Sequence, residues 1–213
     1  LFGLDIDQRA SQLSIFALLM KGRSDDRRLF ERDANLNVVA LHNSSTFETV
    51  GLADQINLSD YGLQLHDLTE LKQLFENVST FGSLIQVPER IAEGLPAMKK
   101  LVEVASRSLL ASEAFKNLEL LVQQALMLAA KYDAVVANPP YMGSKGMNSQ
   151  LKEFTNKNYP DNKSDLFACF IERGYSLAKA NCQEAMVTMQ SWMFLSSFQA
   201  MRKTLLENKT ITS

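Results

Sequence analysis

The sequence predicts an α/β protein built around a parallel β-sheet. Short apolar segments with β-branched residues, typical of buried strands, alternate with longer segments of helical periodicity. Polar side chains follow two of the predicted strands, at Asp5 and Asn138. Because ligands bind at the carboxyl ends of the strands in such sheets, these two positions are the first candidates for a functional site.

Composition narrows the class of protein. The chain has 213 residues, 46% of them hydrophobic and 22% charged, which is typical of a globular domain. A formal net charge of -2 gives no sign of the basic surface expected of a DNA-binding module, so any DNA affinity must be local. No run of about 18 apolar residues occurs, and the amino terminus does not resemble a signal peptide, so no membrane span or export is expected.

Cysteine usage indicates a cytoplasmic protein without a metal site. Cys169 and Cys182 are the two cysteines of the chain. They are too few for a disulfide framework and lack metal-ligand spacing. We expect two reduced thiols.

Residues 1–44 are predicted to contain two strands and one helix. Residues 1–6 form an apolar run that ends in acidic residues, and residues 36–41 form the second strand. Asp7 is the candidate cap of a helix that runs to about Lys21, with Gly22 just beyond its end. Its apolar stripe, predicted to be buried, comprises Ala10, Leu13, Ala17 and Met20.

Residues 45–130 are predicted to be a helical insertion. A polar stretch without clear periodicity, residues 43–62, is followed by a segment from Asp67 to Glu70 that resembles a capping box. Three helical patterns follow, over about 67–78, 88–110 and 113–131. A single βαβ crossover needs only one helix, so three in succession favour an insertion.

Residues 131–213 are predicted to return to the strand–helix alternation. A strand over 133–137 leads directly into Asn138, and Ser164-Asp165 begins a helix. The remaining predicted elements are a polar loop over 142–163 with a short helix near 150–155, a strand over 184–190, a helix from Ser196 or Ser197 to about Glu207, and a strand over 209–213.

The tetrapeptide Asn138-Pro139-Pro140-Tyr141 has the chemistry of an amine-binding site. Two prolines fix two φ angles and remove two backbone donors, and Asn138 is held extended because a proline follows it. An amide oxygen and a proline carbonyl can then accept both hydrogen bonds of one planar amine, while Tyr141 offers a ring for stacking. The structural alternative is a tight turn with a packed tyrosine.

Three segments carry a family resemblance. Residues 132–141, YDAVVANPPY, resemble the catalytic motif of amino-group DNA methyltransferases. Residues 1–10, LFGLDIDQRA, resemble the second-strand motif of these enzymes, and residues 164–195 resemble the helix and strand that follow the catalytic motif. The motif order is that of restriction-modification enzymes with fused nuclease and methylase, of the type IIG kind. The ending MQSWMFL most resembles PglX-type methylases of phage-resistance systems.

The resemblance implies a partial Rossmann-like methyltransferase sheet that uses S-adenosyl-L-methionine (AdoMet). Residues 1–44 would be its cofactor side, 45–130 a helical insertion and 131–213 its catalytic part. The implied activity is site-specific methylation of adenine N6 in DNA. Double-stranded DNA and other subunits of a defence system are the implied partners, and no membrane is involved.

Each site residue takes a role from the resemblance. Asn138 and the Pro139 carbonyl would accept the adenine amine, Pro140 would shape the turn, and Tyr141 would stack on an adenine flipped out of the duplex. On the cofactor side, Asp5 would accept the ribose hydroxyls of AdoMet and Ile6 would lie against its adenine. The alternative for Asp5 is a helix-capping or solvated carboxylate.

The sequence also departs from the family pattern. It contains no Gly-x-Gly, so the glycine-rich cofactor loop is absent, and no target-recognition domain is recognisable. We therefore expect this segment alone to be inactive or nearly so. Methylation of RNA or of a protein glutamine amide is the alternative reaction, since methylases of those classes also carry Asn-Pro-Pro-Tyr. A non-catalytic scaffold segment is the alternative outside catalysis.

Two further groups of residues have open interpretations. Lys145, Lys152, Lys157 and Lys163 follow Tyr141 and either meet phosphates or lie in a solvated loop, the interpretation we favour. Trp192 and Phe194 either line the base pocket or belong to the core, and the usual burial of aromatic residues favours the core.

Overall fold

A computed structural model describes residues 1–32, 36–107 and 113–212. The chain divides into two compact units, Leu1–Ala129 and Ala130–Ser213. Each unit contains one pair of parallel strands together with helices. The predicted α/β class with parallel pairing is confirmed in this form.

The first unit begins with the predicted strand–helix–strand. Strand β1 (Phe2–Asp5) pairs in parallel with β2 (Asn37–Ala40), and helix α1 (Gln8–Asp25) lies between them in sequence. Asp7 caps α1, since its carboxylate accepts the Ala10 N–H at 2.8 Å. The predicted end at Lys21 is wrong: α1 continues through Gly22, and the Asp26 N–H closes its last turn on the Gly22 carbonyl at 2.8 Å.

The apolar stripe of α1 is not buried, contrary to prediction. Leu13 and Met20 are 67% and 49% exposed, whereas Ser11 is the buried residue of this helix. Strands of four residues offer too little surface to cover an 18-residue helix. The periodicity was therefore a correct sign of a helix but a wrong sign of its buried face.

Among the described residues between β2 and β3, five α-helices occur. They are α2 (Thr49–Ala53), α3 (Leu65–Leu74), α4 (Val78–Phe81), α5 (Glu89–Arg107) and α6 (Glu113–Ala129). The helix predicted over 88–110 is thus present, with residues 108–110 outside the described residues. The stretch over 43–62 is less irregular than predicted, because it contains α2 and a single 3-10 turn at Leu58–Tyr61.

The capping box of α3 lies three residues before its predicted place. Gln64 is the N-cap, and the Asp67 carboxylate accepts the Gln64 N–H at 2.8 Å. Asp67 was predicted to be the cap itself, but the helix already begins at Leu65. The apolar side chains that follow form part of the first core, with Leu68, Leu71, Phe75 and Val78 all fully buried.

A buried amide joins the end of β2 to α6. Gln124 is fully buried; its side-chain oxygen accepts the His42 N–H at 3.0 Å, and its amide donates to the His42 carbonyl at 3.1 Å. An unpaired buried amide would cost about 1–3 kcal/mol, so this reciprocal pair fixes the carboxyl end of β2 against the helix.

The second unit contains strands β3 (Tyr132–Ala137) and β4 (Ala178–Met186) with helices α7 (Ser149–Asn158), α8 (Leu166–Leu177) and α9 (Gln199–Asn208). The strands are parallel, with Val135 opposite Glu184 and Ala137 opposite Met186. The predicted start of β4 at Glu184 is wrong, because the strand begins at Ala178, directly after α8. Residues 178–183 contain no β-branched or large apolar side chain, so the sequence did not mark them as a strand. Residues 209–212 are not a strand, contrary to prediction, and Ser213 lies outside the described residues.

The core of the second unit joins α8 and α9. Its buried members are Phe167, Ala168, Ile171, Phe198, Met201 and Leu205, with Tyr175, Met186 and Trp192 packed against them. Across the described residues, the hydrogen-bond ladders form two separate pairs, β1–β2 and β3–β4, rather than one ladder of four strands. Within residues 1–32, 36–107 and 113–212, no helix has the length and apolar character needed to cross a membrane.

Candidate functional site

Asn138 follows directly on the last residue of β3. The Val187 N–H donates to the Ala137 carbonyl at 3.2 Å, which extends the β3–β4 pairing by one step past Met186. The tetrapeptide therefore lies at the carboxyl end of β3 and beside that of β4. Asn138 and Pro140 are exposed, whereas Pro139 is buried.

Two acceptors of the tetrapeptide are not saturated by donors of the described chain. In the part of the chain that the structure describes, no donor reaches the Pro139 carbonyl. The side-chain oxygen of Asn138 has one neighbour there, the Tyr141 hydroxyl, at a long 3.4 Å. That hydroxyl is closer to the Val187 carbonyl, at 3.0 Å, and a phenol has one proton to donate. The Asn138 oxygen is thus left as an acceptor.

The Tyr141 ring is held at two points. Its hydroxyl donates to the Val187 carbonyl, and its ring meets Phe167 edge to face, with centroids 6.3 Å apart and planes at 80°. The side chain is nevertheless 47% exposed. A tyrosine fixed in this way and half exposed can offer a ring surface to a planar base at little entropic cost.

Asp165 fastens the loop after Tyr141 to the start of α8. Its carboxylate accepts the Met142 N–H at 3.0 Å and caps α8 through the Phe167 N–H at 3.3 Å. Two backbone bonds run alongside, from Leu166 N–H to the Met142 carbonyl and from Ser144 N–H to the Ser164 carbonyl, both 3.0 Å. The sequence shows Asp165 as a helix cap, but the loop contact is visible only in the structure.

Substitution Asp165→Ala is expected to lower kcat about tenfold, with a smaller change in KM. Loss of a cap costs about 0.5–2 kcal/mol, and loss of the Met142 contact frees the chain next to Tyr141, so that the tyrosine ring can move from its observed position. Asp165→Asn keeps an acceptor oxygen and should retain most of the activity. Steady-state kinetics of the methylation that the sequence resemblance implies, measured on the full-length gene product, compare the two variants. Equal losses in the two would mean that the acceptor bonds do not position Tyr141.

Asp5 and Ile6 lie at the carboxyl end of β1. The Asp5 backbone carbonyl accepts the Leu41 N–H at 2.8 Å, and one of its carboxylate oxygens accepts the Asp7 N–H at 2.8 Å. Asp7, not Asp5, is the N-cap of α1, and the Asp5 carboxylate instead holds the turn before that helix. The alternative of a solvated carboxylate for Asp5 stays open. Ile6 is 55% exposed, so its side chain has surface available to a ligand.

The two aromatic residues after β4 behave differently. Trp192 packs against the core of the second unit, as the core interpretation expected. Phe194 is 76% exposed, so that interpretation is wrong for Phe194. Phe194 is the residue that follows the 3-10 turn Gln190–Met193 and does not lie on a helix face. Helical periodicity therefore could not indicate which way its side chain points.

Glu184 is an unusual carboxylate that the sequence did not single out. It lies on β4 beside Gly174 of α8, and both of its carboxylate oxygens are buried with no hydrogen-bond partner in the described part of the chain. Burial raises the pKa of Glu184 to about 8, while Lys209 acts in the opposite direction. No group of three or more metal-binding side chains occurs among the described residues.

Comparison with known proteins decides the family. The profile of the Eco57I restriction-modification methylases matches residues 1–213, the full length of the chain. The chain belongs to this family. Its resemblance to adenine methylases of restriction and phage-defence systems is thereby confirmed. Membership of a methylase family also implies a methyl-donor cofactor.

Two curated relatives of this Eco57I family chain are adenine-specific methyltransferases by name. BrxX of Escherichia coli O9:H4 (strain HS) is 45% identical over 232 residues, covering 99% of this chain and 19% of BrxX. PglX of Lacticaseibacillus casei (strain Zhang) is 38% identical over 210 residues, covering 95% of this chain and 17% of PglX. The chain thus spans less than a fifth of the length of either relative.

Proposed function

We propose that the full-length gene product methylates the N6 amine of adenine at specific sites in DNA, with AdoMet as methyl donor. The observation that carries the proposal is the pair of unsaturated acceptors, the exposed Asn138 side-chain oxygen and the Pro139 carbonyl, unpaired within the described chain, beside a half-exposed Tyr141. The names of BrxX and PglX, adenine-specific methyltransferases, support the choice of base. A role in restriction-modification or phage defence, alongside other subunits of such a system, completes the proposal.

The tetrapeptide would orient the amine. Two hydrogen bonds from adenine N6 to the Asn138 oxygen and the Pro139 carbonyl draw electron density onto the nitrogen and favour a nucleophilic geometry. Tyr141 would stack on the ring of the adenine, which must leave the duplex to reach this exposed turn. No strong general base is required among the four residues. AdoMet supplies the electrophilic methyl group when bound.

The residues at β1 fit the adenosine part of AdoMet. Asp5 has a carboxylate oxygen that no described donor occupies, suited to a ribose hydroxyl, and the exposed Ile6 suits an adenine ring. We therefore propose a Rossmann-like arrangement in which residues 1–44 form the cofactor side, 45–130 an insertion and 131–213 the catalytic part.

Substitution Asp5→Ala is expected to weaken AdoMet binding about tenfold or more. A hydrogen bond to a charged group contributes about 1.5–3 kcal/mol, and each 1.4 kcal/mol corresponds to a factor of ten. Calorimetric titration of the full-length gene product measures the change. Asp54→Ala, at an exposed carboxylate just after α2, is the matched control. Unchanged affinity in Asp5→Ala would remove Asp5 from the cofactor site.

Methyl-acceptor identity tests the proposed function directly. The full-length gene product is incubated with labelled AdoMet and, in parallel, with DNA, RNA and a glutamine-rich protein. We expect label in DNA, recovered as N6-methyladenine after digestion and mass spectrometry. Label in RNA or protein would establish the alternative reaction. No label in any acceptor, with AdoMet bound, would favour a scaffold role.

A further inference from the structure

A polar cleft lies in the second unit, beside the loop that follows Tyr141. Its volume is about 470 Å³, and Lys163, Ser164, Ser196, Ser197 and Lys203 are among its lining residues. Its lining carries two lysines against one aspartate, Asp161, a formal charge of +1 in a chain whose net charge is -2. The lining residues therefore carry one net positive charge, which Glu207, 4.0 Å from Lys203, partly offsets.

The polar groups of the cleft are available to a ligand. In the described part of the chain, no hydrogen bond or ion pair engages the Lys163 ammonium or the hydroxyls of Ser164, Ser196 and Ser197. Lys203 lies 4.0 Å from Glu207 and its side chain is 74% exposed, so that ion pair is weak. Helix α9 begins at Gln199, and its first two residues line the cleft, which adds the partial positive charge of a helix N-terminus.

We propose that this cleft binds a backbone phosphate of the DNA substrate. Lysine ammoniums, serine hydroxyls and a helix N-terminus are the groups that proteins use for phosphate. No aromatic side chain occurs among the cleft-lining residues that the structure describes, so the cleft has no platform for a base. A phosphodiester fits this lining better than a free nucleotide does.

The cleft is coupled to the substrate turn through the backbone. Ser164 lines the cleft, and its carbonyl accepts the Ser144 N–H at 3.0 Å. The next residue, Asp165, accepts the Met142 N–H directly after Tyr141. A phosphate bound in the cleft would thus be positioned relative to the base-stacking turn, and would hold the strand whose adenine is flipped.

This inference rests on the proposed function, and its test uses the salt dependence of DNA binding. The full-length gene product is compared with a Lys163→Gln/Lys203→Gln double variant over a range of KCl concentrations. One lost phosphate contact is expected to reduce the slope of log K against log salt by about 0.9. KM for DNA should rise, with kcat at saturating DNA and site preference unchanged, because phosphate contacts carry no sequence information.

Two matched controls distinguish binding at this cleft from a non-specific effect of the protein's net charge. Lys145→Gln/Lys157→Gln removes the same charge from exposed lysines of the same segment outside the cleft, and should leave the slope near that of the wild type. Lys163→Arg/Lys203→Arg should retain binding. A DNA with one methylphosphonate at the contacted position should weaken the wild type but not the double glutamine variant.

The outcomes distinguish the two levels of the proposal. The phosphate site alone would be overturned if the enzyme is active and the cleft variant has the same salt slope as the wild type. It would also be overturned if the salt slope decreases equally in Lys163→Gln/Lys203→Gln and in Lys145→Gln/Lys157→Gln. A gene product that neither binds nor methylates DNA would overturn the proposed function itself.

Discussion

Replacing Asn138 by alanine is expected to lower kcat by about 100-fold or more while leaving AdoMet affinity unchanged. In the proposed mechanism, the side-chain oxygen of Asn138 is one of two acceptors for the adenine amine, and it would act most strongly as the nitrogen gains its nucleophilic geometry. Removal of one comparable preorganised polar group from an active site costs about 10²–10³ in kcat. In the structure, Asn138 makes one long contact, 3.4 Å to Tyr141, so its loss should not disturb the fold.

The matched control is Asn156→Ala, at an exposed position on α7 outside the tetrapeptide. Both variants are assayed in the full-length gene product by single-turnover methylation of DNA, with AdoMet affinity measured separately. Asn156→Ala should behave as the wild type. Retention of full activity in Asn138→Ala would show that the amine is bound elsewhere, and the mechanism assigned to the tetrapeptide would be wrong.

Local chemistry explains why much of the second unit was predictable. The strand before Asn138 is apolar except for Asp133, and two prolines follow it, so β3 was placed from pattern alone. Asp7 as the cap of α1 and Asp165 at the start of α8 were recognisable because capping depends on residues three or fewer positions away. Hydrogen bonds between a side chain and the backbone within one helical turn can therefore be predicted from the sequence.

Contacts made by backbone atoms across the chain were not predictable. The Val187 carbonyl orients Tyr141, and the Met142 N–H binds Asp165, yet a carbonyl or an N–H has no residue type to mark it. The start of β4 was missed because residues 178–183 contain no β-branched or large apolar side chain and follow α8 without a loop. The order of strands and helices indicated that the strands are parallel, but it did not indicate which strands are neighbours. A single sheet was therefore expected, whereas the described strands pair as β1–β2 and β3–β4.

Glu184 is expected to make the second unit less stable as the pH rises. In the folded state, burial without a partner raises the pKa of Glu184 to about 8, from an ordinary value of 4.5. The folded state therefore holds a proton that the unfolded chain releases at lower pH. Its contribution to stability is complete below pH 4.5 and is lost as the pH rises from 4.5 through 8.

The size of this effect follows from the raised pKa and from the partial exposure of the Glu184 residue, whose carboxylate oxygens are themselves buried. Each pKa unit corresponds to 1.36 kcal/mol, but solvent screening around this partly exposed residue reduces the sum, so we expect a loss of about 2 kcal/mol. The Glu184 carboxyl cannot move further toward α8, because it already packs against that helix. A Cβ atom added at Gly174 would lie 2.2 Å from one oxygen of the Glu184 carboxyl, so this carboxyl packs directly against the backbone of Gly174 in α8.

Substitution Glu184→Gln should remove the pH dependence, because an amide keeps the shape of the side chain and does not titrate. Hydrogen–deuterium exchange of the β4 amides in the full-length gene product measures local stability at each pH, and comparison of variants at one pH cancels the intrinsic exchange rate. Between pH 5 and pH 9 the wild type should lose roughly 30-fold protection relative to Glu184→Gln. Glu153→Gln, at an exposed carboxyl on α7, should follow the wild type. Parallel curves for wild type and Glu184→Gln would mean that Glu184 is ionised in the folded state, and therefore that it has a partner or water that compensates its burial.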